Sequence, residues 1–121
     1  MNQSENKEKF IDIHDFESRK KEADSVLKNY PDRVPIIVCK DTNCPLPDID
    51  KQKYLVPMDM TIGQFIYVIR KRIKLQPNEA LFVLVNNSLM PSNKLIQSVY
   101  ETNKSNDGFL YITYSSENTF G

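Results

Sequence analysis

Two rhythms of apolar and polar positions run along this chain. Phe16, Ala23, Val26, Leu27 and Tyr30 fall near one helical stripe, with Arg19, Lys20, Lys21, Glu22 and Lys28 on the other side. Asp15 or Ser18 can cap that helix, and Pro31 ends it, because a residue before proline avoids the helical region. A short helical turn also fits Glu8 to Ile13, after the polar stretch Met1 to Lys9. Val34 to Lys40 (VPIIVCK) is β-branched and reads as a strand, and Pro35 predicts that part of it is unpaired. Asp41 to Asp50, with two prolines and three aspartates, reads as a loop.

Lys53 to Val56 is a second strand, and Pro57, which cannot donate to a ladder, places it at or near a sheet edge. Thr61 and Gln64 have the spacing of a capping box, and Ile62, Phe65, Ile66, Ile69 and Ile73 continue as a helical stripe, the segment ending near Pro77. The wholly apolar run Ala80 to Val85 predicts a central strand, and Asn86-Asn87-Ser88 a turn. Ser92 or Asn93 can cap a short helix through Leu95, Ile96, Val99 and Tyr100. Asn106-Asp107-Gly108 is a further turn, Phe109 to Tyr114 the last strand, and Ser115 to Gly121 a polar extended tail.

Strand, strand, helix, strand, short helix, strand is the order of a ubiquitin-like β-grasp, an α+β architecture. The expectation is a four-stranded mixed sheet with a crossing helix, preceded by N-terminal helices. Residues 1–30 form a helical extension packed on the core, 31–116 the β-grasp core, and 117–121 a flexible tail.

Lys51 to Ile73 carries more apolar surface than one core face requires. Lys53 and Leu55 share one face of their strand while Tyr54 and Val56 share the other, so both faces present large apolar groups. The same holds along Val34 to Val38. A sheet with one covered face needs only alternate apolar residues. The N-terminal helix covers part of the second face and leaves a groove beside an edge strand, an arrangement that binds extended peptides.

Bulk composition narrows the chemistry. The 121 residues fit one domain, and sixteen basic against sixteen acidic residues give zero net charge, which argues against a nucleic-acid binder. No run approaches the roughly 18 apolar residues of a membrane span. Cys39 and Cys44 read as reduced thiols. A Cys–His dyad with His14, the only histidine, lacks an exposing glycine-rich turn, and no nucleophile, base and orienting group assemble. The expectation is therefore no enzyme, no cofactor and no metal, since zinc wants four ligands. The cluster Arg70-Lys71-Arg72 with Lys74 reads mainly as a solvated helix face.

Several long blocks in order carry a more specific signal: Tyr30 to Val38 (YPDRVPIIV), Lys53 to Pro57 (KYLVP), Gly63-Gln64-Phe65, Ile69 to Ile73 (IRKRI), Phe82 to Asn87 (FVLVNN), Phe109 to Ser115 (FLYITYS) and Phe120-Gly121. From about His14 to Gly121 the chain resembles the autophagy-related ubiquitin-like modifiers of the GABARAP and light-chain-3 type. The resemblance implies a cytoplasmic protein conjugated through Gly121, with Phe120 recognised by processing and conjugating enzymes, to phosphatidylethanolamine on autophagosomal membranes. The implied partners are E1-like and E2-like enzymes, a processing cysteine protease and receptors carrying an aromatic-x-x-aliphatic motif.

Carried over residue by residue, the resemblance puts the aromatic side chain in a pocket of Glu22, Val26, Pro35, Ile37, Lys53, Leu55 and Phe109. The aliphatic one enters a second pocket of Tyr54, Val56, Pro57, Met60, Phe65, Val68 and Ile69. Arg33, Lys51 and Arg72 form a basic rim. Asp15 after His14, Val26, Met60 and Gly108 depart from the family pattern and bear on pocket size and receptor preference. An unconjugated β-grasp adaptor that binds extended peptides is the alternative.

Overall fold

The computed structural model describes residues 10–116. The element order is α1 (Phe10–Ile13), α2 (Phe16–Asn29), β1 (Arg33–Lys40), β2 (Lys53–Pro57), α3 (Ile62–Arg72), β3 (Phe82–Val85), β4 (Ser88–Leu89), α4 (Ile96–Asn103) and β5 (Leu110–Ser115). The expected capping devices are present at the two longer helices. Asp15 caps α2, its carboxylate accepting from Ser18 N–H at 2.9 Å, and Tyr30 N–H closes the other end on Val26 C=O. Thr61 and Gln64 exchange two bonds at the start of α3, Gln64 N–H to Thr61 Oγ1 at 3.1 Å and Thr61 N–H to Gln64 Oε1 at 2.8 Å. That helix ends at Arg72, earlier than Pro77, where Lys74 turns into the left-handed region at φ 57°. At α4 the cap position belongs to Leu95, with no side-chain bond, rather than to Ser92 or Asn93.

The sheet has five strands in the order β2-β1-β5-β3-β4. β1 runs antiparallel to β2 and parallel to β5, and β5 is antiparallel to β3. The ubiquitin-like expectation holds, with one added strand: Asn86 (φ 53°) and Asn87 (φ 65°) make a two-residue reversal that pairs Ser88-Leu89 with β3. β2 lies at the edge as Pro57 predicted. β3, expected to be central, is interior, paired with β5 on one side and with the short β4 on the other. Its apolar run reflects burial of Val83, Leu84 and Val85 alike, and the central strand is β5.

Strand alternation sorts the interior into two cores. Val34, Ile36, Val38, Tyr54, Val56, Leu110, Ile112 and Tyr114 pack with Ile62, Phe65 and Ile69 of α3 and with Ile96 and Val99 of α4. Ile37 and Phe109 point to the opposite face and join Phe10 of α1 and Ala23 of α2. The N-terminal helices thus supply the cover for the second face. The loop 41–50 buries Cys44, Leu46 and Ile49 in the larger core, and Tyr114 ties it down by donating to Pro47 C=O at 2.5 Å.

A buried carboxylate fastens α2 to the turn that leads into β5. Asp107, 1% exposed, accepts from Arg19 Nε at 2.9 Å, Tyr111 OH at 2.5 Å and Phe109 N–H at 2.9 Å. Arg19 also donates to His14 C=O at 2.6 Å and Ile11 C=O at 3.3 Å, so the same guanidinium holds α1. Burial alone raises the pKa of Asp107, but the bonds from Tyr111, Phe109 and Arg19 outweigh it and hold the carboxyl below its ordinary value. Tyr111 is correspondingly pushed up, by burial and by donating to Asp107.

Candidate peptide-docking site

The register of β1 and β2 decides which backbone groups of the edge strand are open. Val38 N–H bonds Gln52 C=O at 2.8 Å, and Met58 N–H bonds Asp32 C=O at 3.1 Å. Between them Ile36 pairs with Tyr54 and Val34 with Val56. In an antiparallel ladder every second residue turns its N–H and C=O to the partner strand. Gln52, Tyr54, Val56 and Met58 therefore face β1, and Lys53, Leu55 and Pro57 face outward. Pro57 lacks its N–H on the outward side, where β1 loses nothing. The open edge is then the amides and carbonyls of Lys53 and Leu55. Arg33 Nη1 reaches the Leu55 carbonyl at a long 3.4 Å.

Side chains alternate with the same period. Tyr54 and Val56 are buried while Lys53 and Leu55 are exposed, Leu55 by 37%. On the α2 side, Pro35, Ile37 and Phe109 are buried and Val26 half-buried. Lys53 Nζ on β2 donates to Glu22 on α2, an ion pair that spans the groove between strand and helix. All seven residues expected for the first pocket belong to this junction of α2, β1, β2 and the start of β5. Phe10, which the sequence did not single out, belongs to the same core. Its ring meets Phe109 edge-on at 5.1 Å, and Lys53 Nζ lies 5.9 Å from its centroid.

On the α3 side, Tyr54 and Phe65 form an edge-to-face pair at 5.6 Å. Val56 and Ile69 are buried, and Pro57, Met60 and Val68 are half-buried. Tyr54 is more a core residue than a pocket wall. Among the described residues its buried hydroxyl has no hydrogen-bond partner, and burial raises its pKa. Lys51 Nζ sits 5.0 Å from its ring centroid.

The basic rim is partly engaged. Arg72 Nε bonds Asp50 at 3.0 Å and lowers that carboxyl's pKa, while Arg33 and Lys51 are exposed. Arg70, next to it, is not a solvated cation: its guanidinium donates to the carbonyls of Glu79 at 2.7 Å and Gln76 at 2.8 Å.

His14 and the cysteines are placed structurally. The His14 ring packs on Phe10 at 4.6 Å, Cys39 is half-buried on β1 and Cys44 buried in the loop. No group of three or more His, Cys, Asp or Glu gathers as a metal site among the described residues. Phe120 and Gly121 lie outside the described residues.

The fold defines a ubiquitin-like protein with an open sheet edge. Residues 18–121 match the family model described as autophagy protein Atg8, ubiquitin like. The chain is 59% identical to autophagy-related protein 8e of Arabidopsis thaliana over 108 residues, 89% of this chain and 88% of that protein. It is 56% identical to autophagy-related protein 8 of Coccidioides immitis over 113 residues, 93% and 97% of the two chains. The crystal structure of Trypanosoma brucei ATG8 superposes with a TM-score of 0.87 at 45% identity, covering 94% of this chain and 98% of that one. The chain belongs to the Atg8 family of autophagy-related ubiquitin-like proteins.

Proposed function

We propose that this protein is a non-enzymatic modifier whose Gly121 carboxylate is joined to phosphatidylethanolamine, with Phe120 read by the processing protease and the E1-like and E2-like enzymes. It is cytoplasmic before conjugation and on autophagosomal membranes after it. There it recruits receptors through aromatic-x-x-aliphatic motifs. Residues 1–30 act as the helical extension, 31–116 as the binding core and 117–121 as the conjugation tail.

The observation that supports the receptor half is the outward-facing backbone of Lys53 and Leu55 at a sheet edge, with apolar side chains on its α2 and α3 sides. A peptide strand laid along β2 would bond those groups while its alternate side chains enter the recesses, giving affinity from the main chain and selectivity from the pockets. Arg33 would leave the Leu55 carbonyl to a peptide N–H and turn to an acidic flank. A desolvated aromatic anchor of this kind contributes on the order of 2 kcal/mol or more.

Two experiments test the halves separately. With ATP, the family's conjugating enzymes and phosphatidylethanolamine liposomes, the full chain gives a lipidated band and Gly121→Ala does not; equal lipidation of the variant refutes the role of Gly121. Deleting Phe120-Gly121 leaves peptide binding intact and removes membrane attachment. An adaptor that works unconjugated would show membrane recruitment unchanged by that deletion. Titration with a Trp-x-x-Leu peptide checks the groove through Leu55→Ala, because Leu55 is exposed whereas Tyr54→Ala would also open the core. Equal affinities of wild type and Leu55→Ala end the pocket assignment.

A further inference from the structure

The cations at the end of α3 have a second consequence, away from β2. Phe65 packs on Tyr54 of the edge strand, whereas Tyr67, Arg70 and Lys71 lie on another side of α3 and Lys74 in the turn after it. With Leu75 and Pro77 they line a recess of about 280 Å³. Its floor and walls are apolar: Leu75, Pro77 and the ring of Tyr67, an aromatic left 60% exposed. Its rim is cationic. Lys71 Nζ lies 5.2 Å from the Tyr67 ring centroid, and no carboxylate pairs with Lys71 or Lys74 among the described residues.

The recess is also preformed. Arg70 fastens the loop after α3 by donating to Gln76 and Glu79 carbonyls, and Gln76 N–H bonds Glu79 Oε1 at 3.0 Å. The one carboxylate close by in sequence is thereby occupied with the backbone. Leu75 N–H bonds Arg70 C=O at 3.0 Å, fixing the turn in which Lys74 holds φ 57°. A helix C-terminus accounts for basic residues as such. It does not account for an exposed tyrosine and an apolar hollow held open between them.

We propose that this recess is a second docking surface, for an acidic peptide segment that inserts one aliphatic side chain between Tyr67, Leu75 and Pro77 while its flanking carboxylates meet Lys71 and Lys74. Charge complementarity selects the partner: two unpaired ammonium groups beside an apolar hollow fit carboxylates flanking an aliphatic residue. A hollow suits an inserted side chain, whereas a membrane surface is met by protruding apolar groups. Occupancy here leaves β2 open, so two different partners can be held at once.

The test is a titration of the 15N-labelled full chain, followed by NMR, with acetyl-Glu-Glu-Leu-Asp-Glu-amide as probe. Shifts are expected at residues 67–77, weakening as ionic strength is raised. Replacing the probe's leucine by alanine weakens binding, and Lys71→Glu/Lys74→Glu weakens it by about tenfold or more while the affinity for a Trp-x-x-Leu peptide is unchanged. Leu55→Ala leaves the 67–77 shifts unchanged, which separates this site from the proposed groove. The idea is overturned by shifts confined to β2, by equal binding of the leucine and alanine probes, or by no shifts at all. It is equally overturned if the double variant loses binding to phosphoinositide-containing vesicles and wild type shows no response to the peptide.

Discussion

At the scale of single residues, the positions most constrained are those where two parts of the chain meet. Gly108 has φ +94°, and a Cβ built there would lie 2.8 Å from the Ala23 side chain on α2. Gly108→Ala is therefore expected to lower stability by about 1–3 kcal/mol in a urea melt, from backbone strain and displacement of α2. Asp107 behaves differently because its contribution is pH-dependent. Its folded pKa lies below that of an ordinary aspartate, so the stabilisation is fully present above about pH 4 and fades as pH falls through the lowered value. Asp107→Asn should melt below wild type at pH 7, and the gap should narrow in acid; a gap independent of pH would remove the ionic account. The sequence could show Asp107 only as a turn residue. Its partner Arg19 is 88 positions away, and no periodicity links the two. Phe10 was missed for the opposite reason: one aromatic beside a polar terminus makes no stripe, and only the tertiary contact with Phe109 gives it meaning.

Elements were legible at most of the places where the cause was local, though not at α4, whose cap position is Leu95 rather than Ser92 or Asn93. Thr61 with Gln64, Asp15 with Ser18, and Asn86-Asn87 act within four residues of themselves, and each formed the cap or turn that its chemistry predicts. Removing the Thr61 cap by Thr61→Ala is expected to cost about 1 kcal/mol, measurable by thermal melting. Strand rank in the sheet is not local: the apolar run of β3 marked an interior strand, but burial on both faces says nothing about how many neighbours lie beyond. At β2 the local signal of Pro57 did reach the topology, because a missing donor has to face away from a partner. That geometry can be tested. Leu55→Pro removes an N–H that faces outward, so the fold should tolerate it better than Tyr54→Pro, whose N–H faces β1. Peptide affinity should fall further in Leu55→Pro than in Leu55→Ala.

For the whole molecule, the two cores are not independent of the proposed groove. Phe10, Ile37 and Phe109 share one cluster, so whatever loosens α1 changes the wall against which the aromatic anchor would rest. Phe10→Ala is expected to lower affinity for a Trp-x-x-Leu peptide several-fold more than for salt-dependent contacts at α3, as read by calorimetry on the first and NMR on the second. That the second face needs a cover was evident from successive apolar residues in β1; that α1 shares the work with α2 was not. The open stretch of β2 has a last consequence for chains gathered densely on one surface. With Lys53 and Leu55 as its open donors, a proline closing the row and a lysine within it, this edge disfavours pairing with the same edge of a second copy. On the proposed function, crowding would then raise the local number of docking grooves without joining the chains into a polymer.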